Sequence, residues 1–271
     1  MTNHRPVALV TGASSGIGQA TARALAAGGY AVVGTSRNAA VATPIEGVEL
    51  VDLDVASDES VAGVVAWTVE RFGRIDLLVN NAGVGGAGAA EEVSVDQAQR
   101  IFDINVFGVI RTTKAVLPHM RAQGSGRIVN VSSVLGFVPA PYMAVYAATK
   151  HAVEGYSESL DHEVRQYGVR VLLIEPGYTK TGFEANAMGA DSPLQVYAAQ
   201  REVFDRIMAA SMEAGDDPAL VATAIVAAAT DGRPKLRYTV GPLTKRIGTL
   251  RRFAPARAFD RQIHKYNELP A

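Results

Sequence analysis

Six short apolar runs, separated by longer segments with helical patterning, leave this chain few folds to choose from. The runs cover 7–10, 31–34, 48–55, 75–79, 127–131 and 169–174, and several are nearly unbroken valine, leucine and isoleucine. A strand with one face in water alternates apolar and polar residues, whereas an unbroken run means that both faces are covered. The intervening segments are long enough for crossover helices. The pattern therefore predicts an α/β fold, a doubly wound parallel sheet with helices on both faces. A single domain over residues 1–271 is expected, since such folds routinely reach about 250 residues as one unit.

Segment 142–168 reads as a helix with two packing stripes. Ala148, Ala152, Gly155 and Ser159 are small and fall at i, i+4, i+7 and i+11; Val153, Tyr156, Leu160 and Val164 are bulkier. Two stripes predict that one meets the sheet and the other a neighbour, giving a homodimer or homotetramer. Gly168 is placed to end the helix. Beyond Gly177 the alternation weakens, and about 181–215 reads as a partly helical, mobile substrate lid. A helix follows over 217–230, with Pro218 in its first turn, and 237–241 suits a last strand.

Chemistry-bearing residues cluster at the ends of the runs. Thr11-Gly12-Ala13-Ser14-Ser15-Gly16-Ile17-Gly18 follows the first run and opens a helix. Glycines there let the backbone approach a pyrophosphate, and the helix N-terminus presents free N–H groups to it. At the end of the second run, where an acid would hold a ribose 2′-hydroxyl, Ser36 and Arg37 stand instead. An arginine at that point accommodates a 2′-phosphate, which favours NADP(H) over NAD(H). Asp52 and Asp54 end the third run, and either could accept from an adenine amino group. Asn80-Asn81-Ala82-Gly83 ends the fourth, where side-chain amides can tie strands together.

Tyr146 and Lys150, at i and i+4, share one helix face. A phenol near pKa 10 is too weak an acid for ready transfer at neutral pH. A neighbouring ammonium together with a positive nicotinamide favours the phenolate, so that the tyrosine can exchange a proton with a carbonyl or alcohol. Ser132 and Ser133 precede Tyr146 by 14 and 13 residues. Adjacent strand residues face opposite sides, so one of them orients the substrate oxygen. Asn105 lies in a predicted helix and either bonds within the core or organises a water.

These motifs together resemble the short-chain dehydrogenase/reductase superfamily, in its branch of about 250 residues. The likeness covers about residues 5–182 and rests on TGxxxGIG at 11–18, NNAG at 80–83, Asn105, the Ser133-to-Tyr146 spacing, YxxxK at 146–150, and Pro176-Gly177 with Thr181. It implies a single Rossmann-type domain. It assigns Tyr146 as general acid/base, Lys150 to lower its pKa and bind the nicotinamide ribose, and Ser133 to orient the substrate oxygen. Asn105 would hold a water relaying protons from Lys150. Gly12, Ser14, Ser15, Gly16, Ile17 and Gly18 would line the phosphate side. Asp54 and Val55 would flank adenine, with Asn81, Ala82 and Gly83 nearby, and Pro176, Gly177, Thr179 and Thr181 would hold the carboxamide end. The run at 145–160 is similar to the 17β-hydroxysteroid and retinol dehydrogenase branch.

Other classes fit less well. A non-enzymatic NADP(H) sensor on this fold would lack the tyrosine or the lysine. The longer epimerase branch carries TGxxGxxG spacing. With no cysteine, disulfides and thiolate metal sites are excluded, no metal is expected, and a cytoplasmic location fits. The net charge of -1 gives no general pull towards nucleic acid or anionic membrane. No secretory or membrane-spanning run is read. The basic stretch 245–265 has interleaved Ile247, Leu250, Phe253, Phe259 and Ile263 and reads as an amphipathic segment, a solvated face over a docking stripe. Apolar Phe137, Val138, Pro139, Met143 and Phe183 lie next to catalytic positions in sequence and predict a hydrophobic small-molecule substrate.

Overall fold

Each apolar run becomes a strand in the computed structural model of this chain, which describes residues 5–183 and 186–270. In order, the elements are β1 (Val7–Val10), α1 (Gly16–Ala27), β2 (Ala31–Ser36), β3 (Val48–Asp52), α2 (Asp58–Phe72), β4 (Leu77–Asn80), a short β5 (Gly86–Ala87), α3 (Val95–Phe102), α4 (Gly108–Gln123) and β6 (Gly126–Val131). They continue with α5 (Ala144–Val164), β7 (Val169–Glu175), a short β8 (Met188–Gly189), α6 (Ala198–Glu213), α7 (Pro218–Thr230), β9 (Arg237–Thr239), α8 (Pro242–Phe253) and α9 (Ala256–Tyr266). Residues 1–4 and 271 of the predicted domain, and 184 and 185 of the predicted lid, lie outside the described residues.

Seven strands form one parallel sheet in the order β3-β2-β1-β4-β6-β7-β9. The unbroken apolar runs have a direct cause in that sheet, because successive residues feed opposite cores. Ala8 and Val10 pack with Leu25 of α1 and with Val221 and Ile225 of α7. Leu9, between them, packs with Val116 and Met120 of α4 and with Leu160 of α5. Burying such a leucine stabilises by about 1.5–3 kcal/mol. The strand order reverses between β1 and β4, and a crevice opens at the carboxyl ends there.

Helix ends follow the local chemistry. Asp217 caps α7 by accepting from Ala219 N at 2.7 Å, with Pro218 at the first position. After α5 one tight turn, Arg165–Tyr167, leads to Gly168 in the left-handed region at φ 75°. The bulky stripe of α5 faces inward, with Val153, Leu160 and Val164 buried. Ala148, Gly155 and Ser159 of the small stripe are exposed.

Two expectations change in detail. The third run, 48–55, forms a strand only to Asp52, because its partner β2 ends opposite it at Ser36. The helix predicted around Asn105 is a π turn, Asp103–Phe107, joining α3 to α4; such turns often sit at functional sites.

Over the carboxyl edge lies the segment expected as a lid. It pairs β8 with β5 and then runs into α6. Buried Glu92 fastens it, pairing with Arg201 of α6 and accepting from Leu194 N at 2.7 Å. The rings of Tyr142 and Phe204 meet at 5.7 Å. The basic C-terminal stretch forms two helices that break at Ala254 and Pro255. Ile247, Phe259 and Ile263 dock on Val134 and Val138, while Leu250 and Phe253 stay exposed. Among the described residues no helix is long and apolar enough to cross a membrane.

Candidate active site

The crevice is a cleft of about 680 Å³ running from the β1–α1 turn to α6, within the range of small-molecule and cofactor sites. Gly12, Ser14, Ser15, Gly16 and Ile17 line one end. Two glycines make that end. A Cβ on Gly12, which holds φ 67°, would come within 3.0 Å of Ala82 Cα, and one on Gly18 would overlap the Gly12 carbonyl oxygen. Gly18 thus lies behind the turn and lets α1 press against it, where only bare backbone fits. The turn leaves a cradle of backbone beside a helix N-terminus, which suits a pyrophosphate. Asn81 holds it in place, its Nδ2 donating to Thr11 O at 3.0 Å and to Gly12 O at 3.1 Å. Asn80 instead ties strands, donating to Asn130 Oδ1 at 2.9 Å.

Ser36 and Arg37 line the same cleft. Ser36 Oγ sits in a local turn with Asn38, at 3.4 Å, and Arg37 is exposed with no hydrogen bond or ion pair among the described residues. Of the two aspartates left open by the sequence, Asp54 lines the cleft with Val55. Asp52 is committed elsewhere, accepting from Ala39 N at 2.6 Å. Ala82, Gly83, Pro176, Gly177, Thr179 and Thr181 complete this side. The backbone cradle and the cleft beside it fit a nicotinamide dinucleotide.

Tyr146 and Lys150 present one face of α5 to the cleft, opposite the end of β6. Lys150 Nζ donates to Val131 O at 2.9 Å and lies 5.6 Å from the Tyr146 ring centroid. Burial pushes the Tyr146 phenol above its ordinary value, and the Ser133 hydroxyl beside it pulls the other way. Burial pulls the Lys150 ammonium down to about 8. The sequence expectation joins the lysine to a positive nicotinamide, and both charges would act against the cost of burying the phenolate.

Of the serine pair, Ser133 faces Tyr146. Ser132 is buried and turns to Glu154, close enough to favour its ionised form yet outside good hydrogen-bond geometry. Asn105 does not line the cleft. Its amide is paired with the Val84 backbone, accepting from N and donating to O, both at 2.8 Å, and it donates to Thr149 Oγ1 at 3.3 Å. It braces the loop after β4 behind the lysine's helix.

The apolar residues near the catalytic positions divide. Met143 and Phe183 line the cleft, with the Phe183 ring 5.6 Å from that of Tyr146. Phe137 and Val138 do not: they lie under α8 and α9, packed with Ile247 and Phe259, and Pro139 is exposed. Sequence neighbours were led away because the turn after Ser133 carries them behind the site. Missed instead were Leu135 and one face of α6, namely Phe204, Met208 and Met212, with Asn186 and Asp205 adding polar groups. The spacing i, i+4, i+8 of that face was a usable signal; its destination was not. Among the described residues no group of three His, Cys, Asp or Glu could hold a metal ion.

Residues 6–191 match the family described as short chain dehydrogenase. The chain is 37% identical over 241 residues to 3-ketodihydrosphingosine reductase of Bacteroides thetaiotaomicron, covering 88% of this chain and 89% of that protein. It is 37% identical over 256 residues to retinol dehydrogenase 8 of Bos taurus, covering 84% and 79%, in line with the branch its helix at 145–160 resembles. The crystal structure of a short chain dehydrogenase/reductase from Burkholderia phymatum in complex with NAD superposes with a TM-score of 0.79 at 28% identity, covering 97% of this chain and 96% of that one.

Proposed function

The chain belongs to the short-chain dehydrogenase family, and from that premise we propose that it exchanges a hydride between NADP(H) and a hydrophobic carbonyl or secondary alcohol, with Tyr146 as general acid and base. One observation carries this reading. Tyr146, Lys150 and Ser133 line one cleft together with Phe204, Met208 and Met212 of α6.

The nicotinamide, when bound, supplies or accepts the hydride. In reduction Tyr146 Oη gives its proton to the carbonyl oxygen, which Ser133 Oγ holds by a hydrogen bond; in oxidation the same phenolic oxygen takes the proton from the alcohol. Lys150 places a positive charge beside the ring and so lowers the cost of the phenolate in a dry pocket. Asn105 keeps the loop behind that lysine in place and is the candidate to hold a relay water. Phe183, Met143, Met208 and Met212 exclude water and favour an apolar substrate; segment 181–215 thus acts as the substrate lid.

A panel of ketones, aldehydes and alcohols followed by NADPH absorbance tests the substrate class. Apolar carbonyls or secondary alcohols should turn over, and sugars and phosphorylated acids should not. A panel in which only polyols or charged acids react would overturn the apolar assignment.

The small-residue stripe of α5, exposed at Ala148, Gly155 and Ser159 and half-buried at Ala152, supports a homodimer or homotetramer, α5 packing on its twin across a two-fold axis. Light scattering at micromolar concentration should give at least twice 28.5 kDa. A species of single-chain mass would remove this assembly.

A further inference from the structure

Behind the catalytic helix lies a second polar cluster that the proposed reaction does not use. Glu154 sits one helical turn after Lys150 on α5 and is only 6% exposed, and Glu175, which ends β7 just before Pro176, is 3% exposed. Arg237 of β9 reaches both. Its Nε donates to Glu154 Oε2 at 3.1 Å and lies 3.4 Å from Glu175 Oε1, while Nη2 takes the exposed Glu158 at 3.1 Å. Thr239 Oγ1 donates to Glu175 Oε2 at 2.8 Å. Gly136 seals the pocket, since a Cβ there would come within 2.7 Å of Ser132 Oγ and 2.9 Å of Glu154 Cγ.

As a structural ion pair this cluster is poorly made. Glu154 Oε1, Glu175 Oε1 and Ser132 Oγ are buried without a hydrogen-bond partner, and three carboxylates share one guanidinium. Unsatisfied buried acceptors are costly and call for a reason beyond stability. Lys150 supplies one. Its buried ammonium bonds a neutral carbonyl, Val131 O, and the carboxylate at i+4 on the same inward face is that of Glu154.

We propose that Glu154 is a positioning residue of the active site, holding the charge on Lys150 from behind while Arg237 and Glu175 hold Glu154. The inference rests on the role given above to Lys150. Burial pulls that ammonium down, and Glu154 is the group that pulls it back. Both buried carboxyls are raised, Glu175 up to about 7 by burial and then by the charge of Glu154. Against its own burial, Glu154 has Ser132, Arg237 and His151 favouring the ionised form. Glu175 has Thr239 and Arg237 doing the same against burial and the Glu154 charge.

The sign follows. Removing the Glu154 charge lowers the Lys150 pKa, so the ammonium is lost at lower pH. The test is an NMR titration of protein labelled at lysine Cε, with no cofactor or substrate present and Lys150 assigned from K150R. In E154Q the Lys150 midpoint should fall by about one unit or more, in E154D by less, and in E158Q, which removes the exposed carboxylate on the same arginine, not at all. An unmoved midpoint in E154Q overturns the proposal, as does an equal fall in E158Q. Should E154Q not fold, an unmoved midpoint in E154D overturns it. Because the titration needs no turnover, its failure is distinct from failure of the substrate panel. On a working alcohol, the alkaline limb of the oxidation rate should move to lower pH by the same amount in E154Q.

Discussion

Tyr146→Phe should lose about 10²- to 10⁴-fold in kcat, the usual contribution of a general acid–base group, while folding and binding cofactor as before. The substitution removes one oxygen and nothing else of consequence. The ring is 7% exposed, keeps its edge contact with Phe183 at 5.6 Å, and remains beneath Lys150. Burial already penalises the phenolate, so the phenylalanine places no less favourable group in the pocket, and thermal unfolding should change little. The Ser133 hydroxyl loses its partner but can turn to water or substrate. If turnover depends on proton exchange at this oxygen, kcat and kcat/KM fall together with KM nearly constant. Wild-type rates in the phenylalanine variant, on a substrate the native protein turns over, would falsify the assignment of Tyr146.

Replacing Ser36 by Asp together with Arg37 by Ala should reverse a preference for NADPH over NADH that we put at roughly ten- to a hundred-fold in kcat/KM, since charged hydrogen bonds are worth about 1.5–3 kcal/mol and ~1.4 kcal/mol is a factor of ten. The 2′-phosphate carries close to two negative charges, and Arg37 lines the cleft with its donors uncommitted. Ser36 makes only weak local bonds at 3.4 Å and is free to turn to the phosphate. The nearest acid across the ladder, Asp52, already accepts from Ala39 N and so competes little for a ribose. In the double variant a carboxylate accepts from ribose hydroxyls and repels the phosphate. Equal efficiencies in the wild type, or an unchanged order in the double variant, would show that these two residues do not read the phosphate.

The distinction between Ser132 and Ser133 shows how far sequence carries. Alternation carried just past the end of β6 says that the two hydroxyls part company, and the resemblance names Ser133. That Ser132 turns to a buried glutamate depends on α5 crossing behind the strand, which no local pattern encodes. Lys150 is similar. Its spacing from Tyr146 is plain in the chain, but its lowered pKa follows from burial between α5 and β6. The substrate wall was the least legible part. Phe137 and Val138 lie close to Ser133 in sequence yet pack under α8 and α9, whereas Phe204, Met208 and Met212, some sixty residues beyond Tyr146, face the site.

By itself the sequence determined the elements and their chemistry. Runs of valine, leucine and isoleucine could only be strands covered on both sides, and a glycine turn, a lone arginine and a Tyr–Lys pair at helical spacing carry their meaning within a few residues. These are local properties, set by periodicity and by which backbone conformations a side chain permits. The tertiary structure alone decided what depends on elements distant in sequence meeting. It closed the cleft with α6, sent the turn after Ser133 under the C-terminal helices, and set Glu154, Glu175 and Arg237 from three elements around one buried pocket. Burial and the mutual influence of charges are properties of that meeting, and they shift the acidity of Tyr146, Lys150 and Glu175 from its ordinary range.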